Sequence, residues 1–399
     1  SFPASAQIQL GADIDGEAAN NRSGWSVSLS SDGTIIAIGA PYNDGNGSTS
    51  GHVRVYEYTS GSWSQLGADI DGEAASDRSG FSVSLSSDGT VVAIGATRNA
   101  GNGNNAGHVR VYEYTSGSWT QIGADIDSEA TGDVSGSSVS LSSDGTIVAI
   151  GAPYNDGTGT DAGHVRVYED SSGTWVQLGA DIDGEAADDQ SGCLVSLSSD
   201  GTILAVGAIF NDGNGSNAGH VRVYEDSSGT WVQLGADIDG EAAGDFSGYR
   251  VSLSSDGSTI AIGAPGNSGN GSYAGHVRLY EYTSGSWSQL GADIDGEAAG
   301  DRSGHSVSLS SDGTILAVGA IFNAGNGSNA GHVRVYEDSS GTWVQLGSDI
   351  DGEAAGDWLG YSVSLSSDGT IVAIGARYND GNGTDAGHVR AYSIPIPIC

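Results

Sequence analysis

Apolar and polar residues alternate in short runs along the whole chain, and no stretch of ten or more residues carries a helical period. SVSLS (26–30) alternates one by one, the period of a strand with one buried face. SSDG follows, and its Asp-Gly pair favours the positive φ of a tight hairpin. TIIAIGA (34–40) is almost continuously apolar, as in a strand covered on both faces. A Gly- and Asn-rich loop, PYNDGNGSTSG, leads to HVRVYEY (52–58), and after TSGS a fourth run, WSQLGADI (63–70), closes the unit. The pattern predicts four short antiparallel strands and no helix.

The unit recurs without insertion or deletion. GADIDGEAAN starts at Gly11, and its copies start at Gly67, Gly123, Gly179, Gly235, Gly291 and Gly347, each 56 residues after the last, so that seven copies fill 392 of 399 residues. Four strands repeated seven times predict an all-β, seven-bladed β-propeller, with residues 1–399 forming one domain. Cys399 stands 56 residues after Trp343, where the fourth strand of the last repeat would begin, whereas QIQLGADI near the N-terminus has the register of WSQLGADI, with Gln7 in the place of Trp63. The N-terminal strand is therefore expected to complete the last blade and close the ring.

Charge narrows the classes of partner. The chain has 50 acidic residues against 13 arginines and no lysine, a formal charge of −37, which speaks against nucleic acid. No apolar run reaches the 18 to 20 or so residues of a membrane helix. The sequence as it begins has no basic segment followed by an apolar one, so any secretory signal is expected to have been removed or never to have been there. Dense carboxylates would also suit life in salty water, where they keep a surface hydrated.

The acids concentrate in the connectors between blades. Asp13, Asp15 and Glu17, with Asp69, Asp71, Glu73 and Asp77 in the second copy and Asp237, Asp239, Glu241 and Asp245 in the fifth, supply hard oxygen ligands of the kind Ca²⁺ takes. The competing reading is a solvated turn whose Asp pairs with the Arg of HVRV, present once per blade from Arg54 to Arg390. The His two residues before that Arg, repeated seven times from His52 to His388, is expected to make a structural hydrogen bond, and the recurring Trp to pack between outer strands.

Where the copies differ is more informative. The two hairpin turns hardly vary, and they lie on one face of the predicted ring. Variation concentrates on the other face: after Ser/Leu-Gly (Trp25, Phe81, Ser137, Cys193, Tyr249, His305, Tyr361), after the second strand (Tyr42, Arg98, Tyr154, Phe210, Gly266, Phe322, Tyr378), and before Ser-Gly (Arg22, Arg78, Val134, Gln190, Phe246, Arg302). Trp25, Tyr42, Phe81, Tyr154, Phe210, Tyr249, His305, Phe322, Tyr361 and Tyr378 form a candidate binding face, where flat rings stack on sugars or on a partner's side chains. Near-identical blades argue against an enzyme, the one unrepeated trio being His305, Arg302 and Arg250. Asn21, Asn46, Asn214, Asn270, Asn326 and Asn382 head N-glycosylation sequons, although Asn-Gly-Ser is also ordinary turn chemistry. Cys193 and Cys399 fall on opposite faces and are not expected to pair, which leaves Cys399 for self-assembly with another chain.

The succession SGWSVSLSSDGTIIAIGAP, a Gly-rich loop and GHVRVYEY resembles the FG-GAP repeats of the integrin alpha-subunit propeller and of bacterial and algal surface proteins. Gly39-Ala40-Pro41, Gly151-Ala152-Pro153 and Gly263-Ala264-Pro265 carry the resemblance most specifically. Two departures stand out: the family's Phe-Gly is Ser23-Gly24 here, and its DxDxDG calcium loop between the first two strands is reduced to SSDG, with Asp32 the sole carboxylate. The resemblance implies an extracellular structural or adhesive module with repeated equivalent sites, partnered by an extracellular protein or glycan. The alternative is a calcium-dependent, lectin-like propeller.

Overall fold

A computed structural model describes residues 7–396 and contains no helix among them. The first blade pairs Ser26–Leu29, Ile35–Ala40, His52–Thr59 and Ser62–Gln65 in order, each strand antiparallel to the last. The fourth strand breaks around Gly67 and resumes at Ile70–Asp71, which pairs with the start of the third. Six more sheets repeat this plan, and their first strands stand side by side around a central channel, Ser26–Leu29 touching both Ser79–Leu85 and Leu359–Leu365. Ile8–Gln9 and Ile14–Asp15 pair with His388–Ser393, so the N-terminal strand completes the last blade as expected. Cys399, and with it the self-assembly it was expected to serve, lies outside the described residues.

Alternating serine in the first strand solves an edge problem. That strand has no backbone partner on its channel side, and unpaired N–H groups there would be costly. Ser28 Oγ accepts from Leu85 N at 3.0 Å, and Ser364 Oγ from Leu29 N at 3.0 Å, so each blade caps the edge of its neighbour. At the hairpins, Ser31 N donates to Ser87 O, and the pattern runs round to Ser367 N and Ser31 O, a closed ring of backbone hydrogen bonds of 2.7–2.9 Å. Within each hairpin the single Asp is fully engaged: Asp32 accepts from Ser30 Oγ, Thr34 N and Thr34 Oγ1 at 2.7–2.9 Å. Partial burial opposes its charge, yet these bonds outweigh burial and hold the carboxyl below its ordinary value.

The core lies between blades. Val27, Leu29, Ile36 and Ile38 of the first blade pack with Ile14, Ala373 and Val389 of the last, and each fully buried aliphatic side chain contributes about 2 kcal/mol. Glycine permits the close approach: a Cβ on Gly39 would stand 2.1 Å from Gly80 O, and Gly80 itself has φ of +83°. Outer strands are bracketed by the recurring indole, Trp63 Nε1 donating to Leu10 O of the neighbouring blade at 2.8 Å. In the last blade Gln7 takes that place, its amide donating to Leu346 O at 3.0 Å. The outer strand held by Gln7 is also the one that runs unbroken, Trp343–Asp351.

Candidate functional site: the channel mouth and the blade junctions

The position after Ser/Leu-Gly opens the first strand of each blade, so its seven side chains converge on the channel. Five of them are rings in one arc: Trp25 lies 5.3 Å from Phe81 and 5.2 Å from Tyr361, and His305 lies 5.0 Å from both Tyr361 and Tyr249. Ser137 and Cys193 are small, and beside them the channel opens into a cavity of about 790 Å³, walled also by Phe81, Tyr154, Tyr249, Arg78, Arg98 and Arg250. The Cys193 thiol donates to Gly207 O at 3.3 Å, and burial pushes it up to about 11, so it stays protonated. His305 is 4% exposed, and burial followed by the charges of Arg250, Arg377 and Arg302 drives it well below the ordinary imidazole range. The His305, Arg302, Arg250 trio is thus close in space, with its imidazole neutral and enclosed.

Arginine is distributed with equal clarity. Seven of the thirteen belong to the HVR repeat; the other six, Arg22, Arg78, Arg98, Arg250, Arg302 and Arg377, all lie on the face that carries the mouth. Among the described residues, only the repeat arginines come within 4.0 Å of a carboxylate. All of the mouth guanidiniums but that of Arg98 lie over rings instead: Arg377 is 3.8 Å from the Tyr361 centroid and 4.4 Å from that of Trp25, and Arg22 is 4.3 Å from that of Tyr42. Burial, with Arg98 and Arg22 adding to it, pulls Arg78 below its ordinary value. Positive charge without counter-ions, in a chain this acidic, suits an anion. Backbone strain marks the same place: Arg22, Arg78, Val134, Gln190, Phe246, Arg302 and Trp358 all have φ of +53° to +58°, a region that Gly or Asn would occupy more cheaply.

The acidic connectors form a rim around this face. Their carboxylates do not gather as one set. Glu17 meets His52 and Asp69, Asp13 meets His388 and Glu353, and the pattern repeats with Glu73, His108 and Asp125, and with Glu185, His220 and Asp237. Glu241 likewise meets His276 and Asp293. Asp15, Asp71 and Asp239 are exposed beside these groups, whereas Asp77 and Asp245 are buried and cap a turn, each accepting from an Ala N–H and an Asn amide. The expected Asp–Arg pair is made differently: Arg54 donates to the backbone carbonyl of Asp15 at 2.8 Å and lies 3.7 Å from Glu17. Only Arg334 grips an Asp, Asp349, through two bonds of 2.8 and 2.9 Å. The expected hydrogen bond from the repeat His is absent at His52, His108, His332 and His388, whose Nδ1 atoms are buried without a partner. Burial, followed by the neighbouring Arg, pulls His52 and His388 down to about 4, so these imidazoles are neutral at pH 7.

The remaining candidates separate. Phe210 meets Phe246 edge-on at 5.8 Å, and Phe322 and Tyr378 flank Trp358 at 4.8 and 4.7 Å. Trp358, Phe246 and Arg377 belong to the face but were not among the expected binding residues; Trp358 was legible as the residue 56 after Arg302. Of the sequon residues, Asn21 is buried, while the Asn46, Asn214, Asn270, Asn326 and Asn382 amides donate to connector carbonyls at about 2.8 Å. Asn102 and Thr158 make the same bond without a sequon, which is the turn chemistry.

Fold and site together define a seven-bladed β-propeller with an asymmetric mouth. The FG-GAP repeat family model matches residues 12–56, 293–336 and 350–392, and these three stretches lie in the 56-residue register that all seven copies share. The family's calcium hairpin is not retained, since Asp32 and its equivalents stand alone and are spent on their own turns. No curated protein matches the chain. Among solved structures it is similar to a Bacteroides uniformis ATCC 8492 protein assigned as a 6-phosphogluconolactonase, with TM-score 0.57 and 13% identity over 82% of this chain and 85% of that one. It is also similar to the hydrazine synthase of Kuenenia stuttgartiensis, with TM-score 0.56 and 12% identity over 92% and 94%. At these identities the likeness is one of fold.

Proposed function

We propose that the protein is an extracellular adhesive module that binds through its channel mouth, and that the group it takes there is an acidic carbohydrate unit of its partner. The observation that carries this reading is that all six arginines outside the repeat lie on one face without carboxylate partners, five of them over aromatic rings. A cavity of about 790 Å³ has the size of a small-ligand site. Rings stack on sugar faces, and guanidinium forks bind carboxylate or sulfate in bidentate fashion. FG-GAP propellers are protein-interaction scaffolds typical of extracellular proteins, which supports the compartment. No helix among the described residues is long and apolar enough to cross a membrane. The role assigned is binding rather than catalysis, because the enclosed His305 offers no accessible base.

Isothermal titration of the full chain with a polygalacturonate fragment, a heparin tetrasaccharide, a neutral cello-oligosaccharide and a hexaglutamate peptide tests the assignment. An acidic saccharide is expected to bind and to be lost in the triple variant Arg78→Ser, Arg98→Ser, Arg250→Ser. Equal binding of the neutral sugar, or binding of the peptide alone, overturns it.

A further inference from the structure

The blade junctions repeat an arrangement that the mouth does not use. At the first, Asp69 Oδ2 and Glu17 Oε2 lie 3.5 and 3.8 Å from Nδ1 of His52, whose side chain is 2% exposed. Glu17 arrives from the preceding blade, so the group spans the seam between two sheets. We propose that these junctions are binding sites for a divalent cation of the zinc class, each held by one imidazole nitrogen and two carboxylate oxygens.

Four observations carry the assignment. First, Nδ1 of His52, His108 and His388 is buried, has no hydrogen-bond partner and faces both carboxylates. Second, distances of 3.5–4.0 Å are too long for hydrogen bonds, which end near about 3.2 Å. They are close to the edge of a tetrahedron built on bonds of about 2.0–2.2 Å, which is about 3.4 Å. Third, the ligands are oriented from behind: Gln65 Nε2 donates to Asp69 Oδ1 at 2.6 Å and leaves Oδ2 toward the imidazole. Glu17 turns Oε1 to Arg54 and Oε2 to His52. Fourth, one junction already holds a cation. Arg334 leaves the backbone carbonyl that its six equivalents bind and pairs with both Glu297 and Asp349, the ligands beside His332.

An imidazole with two carboxylates, leaving a fourth position open to water, suits zinc and its first-row neighbours. Calcium, which takes six to eight oxygens, is poorly served. With Arg334 filling one of seven junctions, six ions per chain are expected.

The experiment is equilibrium dialysis of the untagged full chain against ZnCl₂, with and without millimolar CaCl₂, followed by elemental analysis. About six zinc ions per chain are expected, undisplaced by calcium, with a rise in melting temperature by linkage. His108→Gln is expected to remove one ion and leave five, so the remaining sites report that the variant is folded. Arg334→Gln is expected to add one. Three or fewer ions, a calcium stoichiometry equal to that of zinc, or a His108→Gln variant that binds as many ions as the parent overturns the proposal.

Discussion

Around the channel mouth, Trp25, Phe81, Tyr249, His305 and Tyr361 crowd one arc while Ser137 and Cys193 leave the other open. At the junctions the same Glu, His and Asp return blade after blade. The two regions share a face of the ring and differ in how far apart their copies lie. First strands touch one another, so residues from several blades meet at the centre and a change in one copy alters a common site. Junctions are separated by whole sheets, so equal copies stay independent and have no neighbour to differentiate against. Variation therefore builds one asymmetric site in the middle, and repetition builds many equal ones outside.

The largest test of this contrast replaces Arg78, Arg98 and Arg250 together with Ser. Binding of an acidic oligosaccharide is expected to fall about a hundredfold or more, at about 1–3 kcal/mol for each charge-assisted contact, while the melting temperature moves little. The same readout after Glu73→Gln, on the rim, is expected to stay within twofold.

Next in size is the bracket. Trp119→Gln imitates Gln7 at a second junction, keeping a donor for Leu66 O and removing the ring packed against Tyr114. A loss of about 2 kcal/mol in urea unfolding is expected from the buried ring area. A smaller gain is expected at the mouth: Val134 has φ of +58°, so Val134→Gly relieves strain and stabilises by about 1 kcal/mol. Stabilisation with unchanged ligand binding would detach that strain from function.

The smallest effect concerns the opposite, constant face. At Asp144 burial opposes the charge, but bonds from Ser142 and Thr146 outweigh it and hold the carboxyl low. The unfolded chain then binds the proton more readily, so the stabilisation is complete above about pH 4 and is lost as pH falls through the lowered folded value. Asp144→Asn should cost under about 1 kcal/mol at pH 7, given the exposure of the hairpin, and nothing near pH 2, as urea midpoints at the two pH values would report.

Much of the fold was legible because each signal was local. Asp-Gly turns, alternating Ser26–Ser30 and the continuous run after Thr34 each specify their own strand, and the 56-residue period multiplies them. Gln7 in a Trp register revealed the ring closure for the same reason. The candidate mouth positions were legible as breaks in the repeat, whereas their partners were not. Arg377 is adjacent to Tyr378 in the chain, but the other rings it covers, Trp25, Trp358 and Tyr361, come from two blades. The repeat His was expected to be satisfied, yet Nδ1 has no hydrogen-bond partner at His52, His108, His332 and His388; that Glu17 faces His52 from a different sheet was not legible either, since a residue period says nothing of which side chains cross a seam.

By itself, then, the sequence determined strand number, strand order, the hairpins and the closure of the ring, because periodicity and turn chemistry act over a few residues and seven copies agree. Only the tertiary structure decided which acids stand together, which arginines lack a counter-ion and where the channel opens. Those depend on distances between sheets, set by how buried side chains and glycines let neighbouring blades approach.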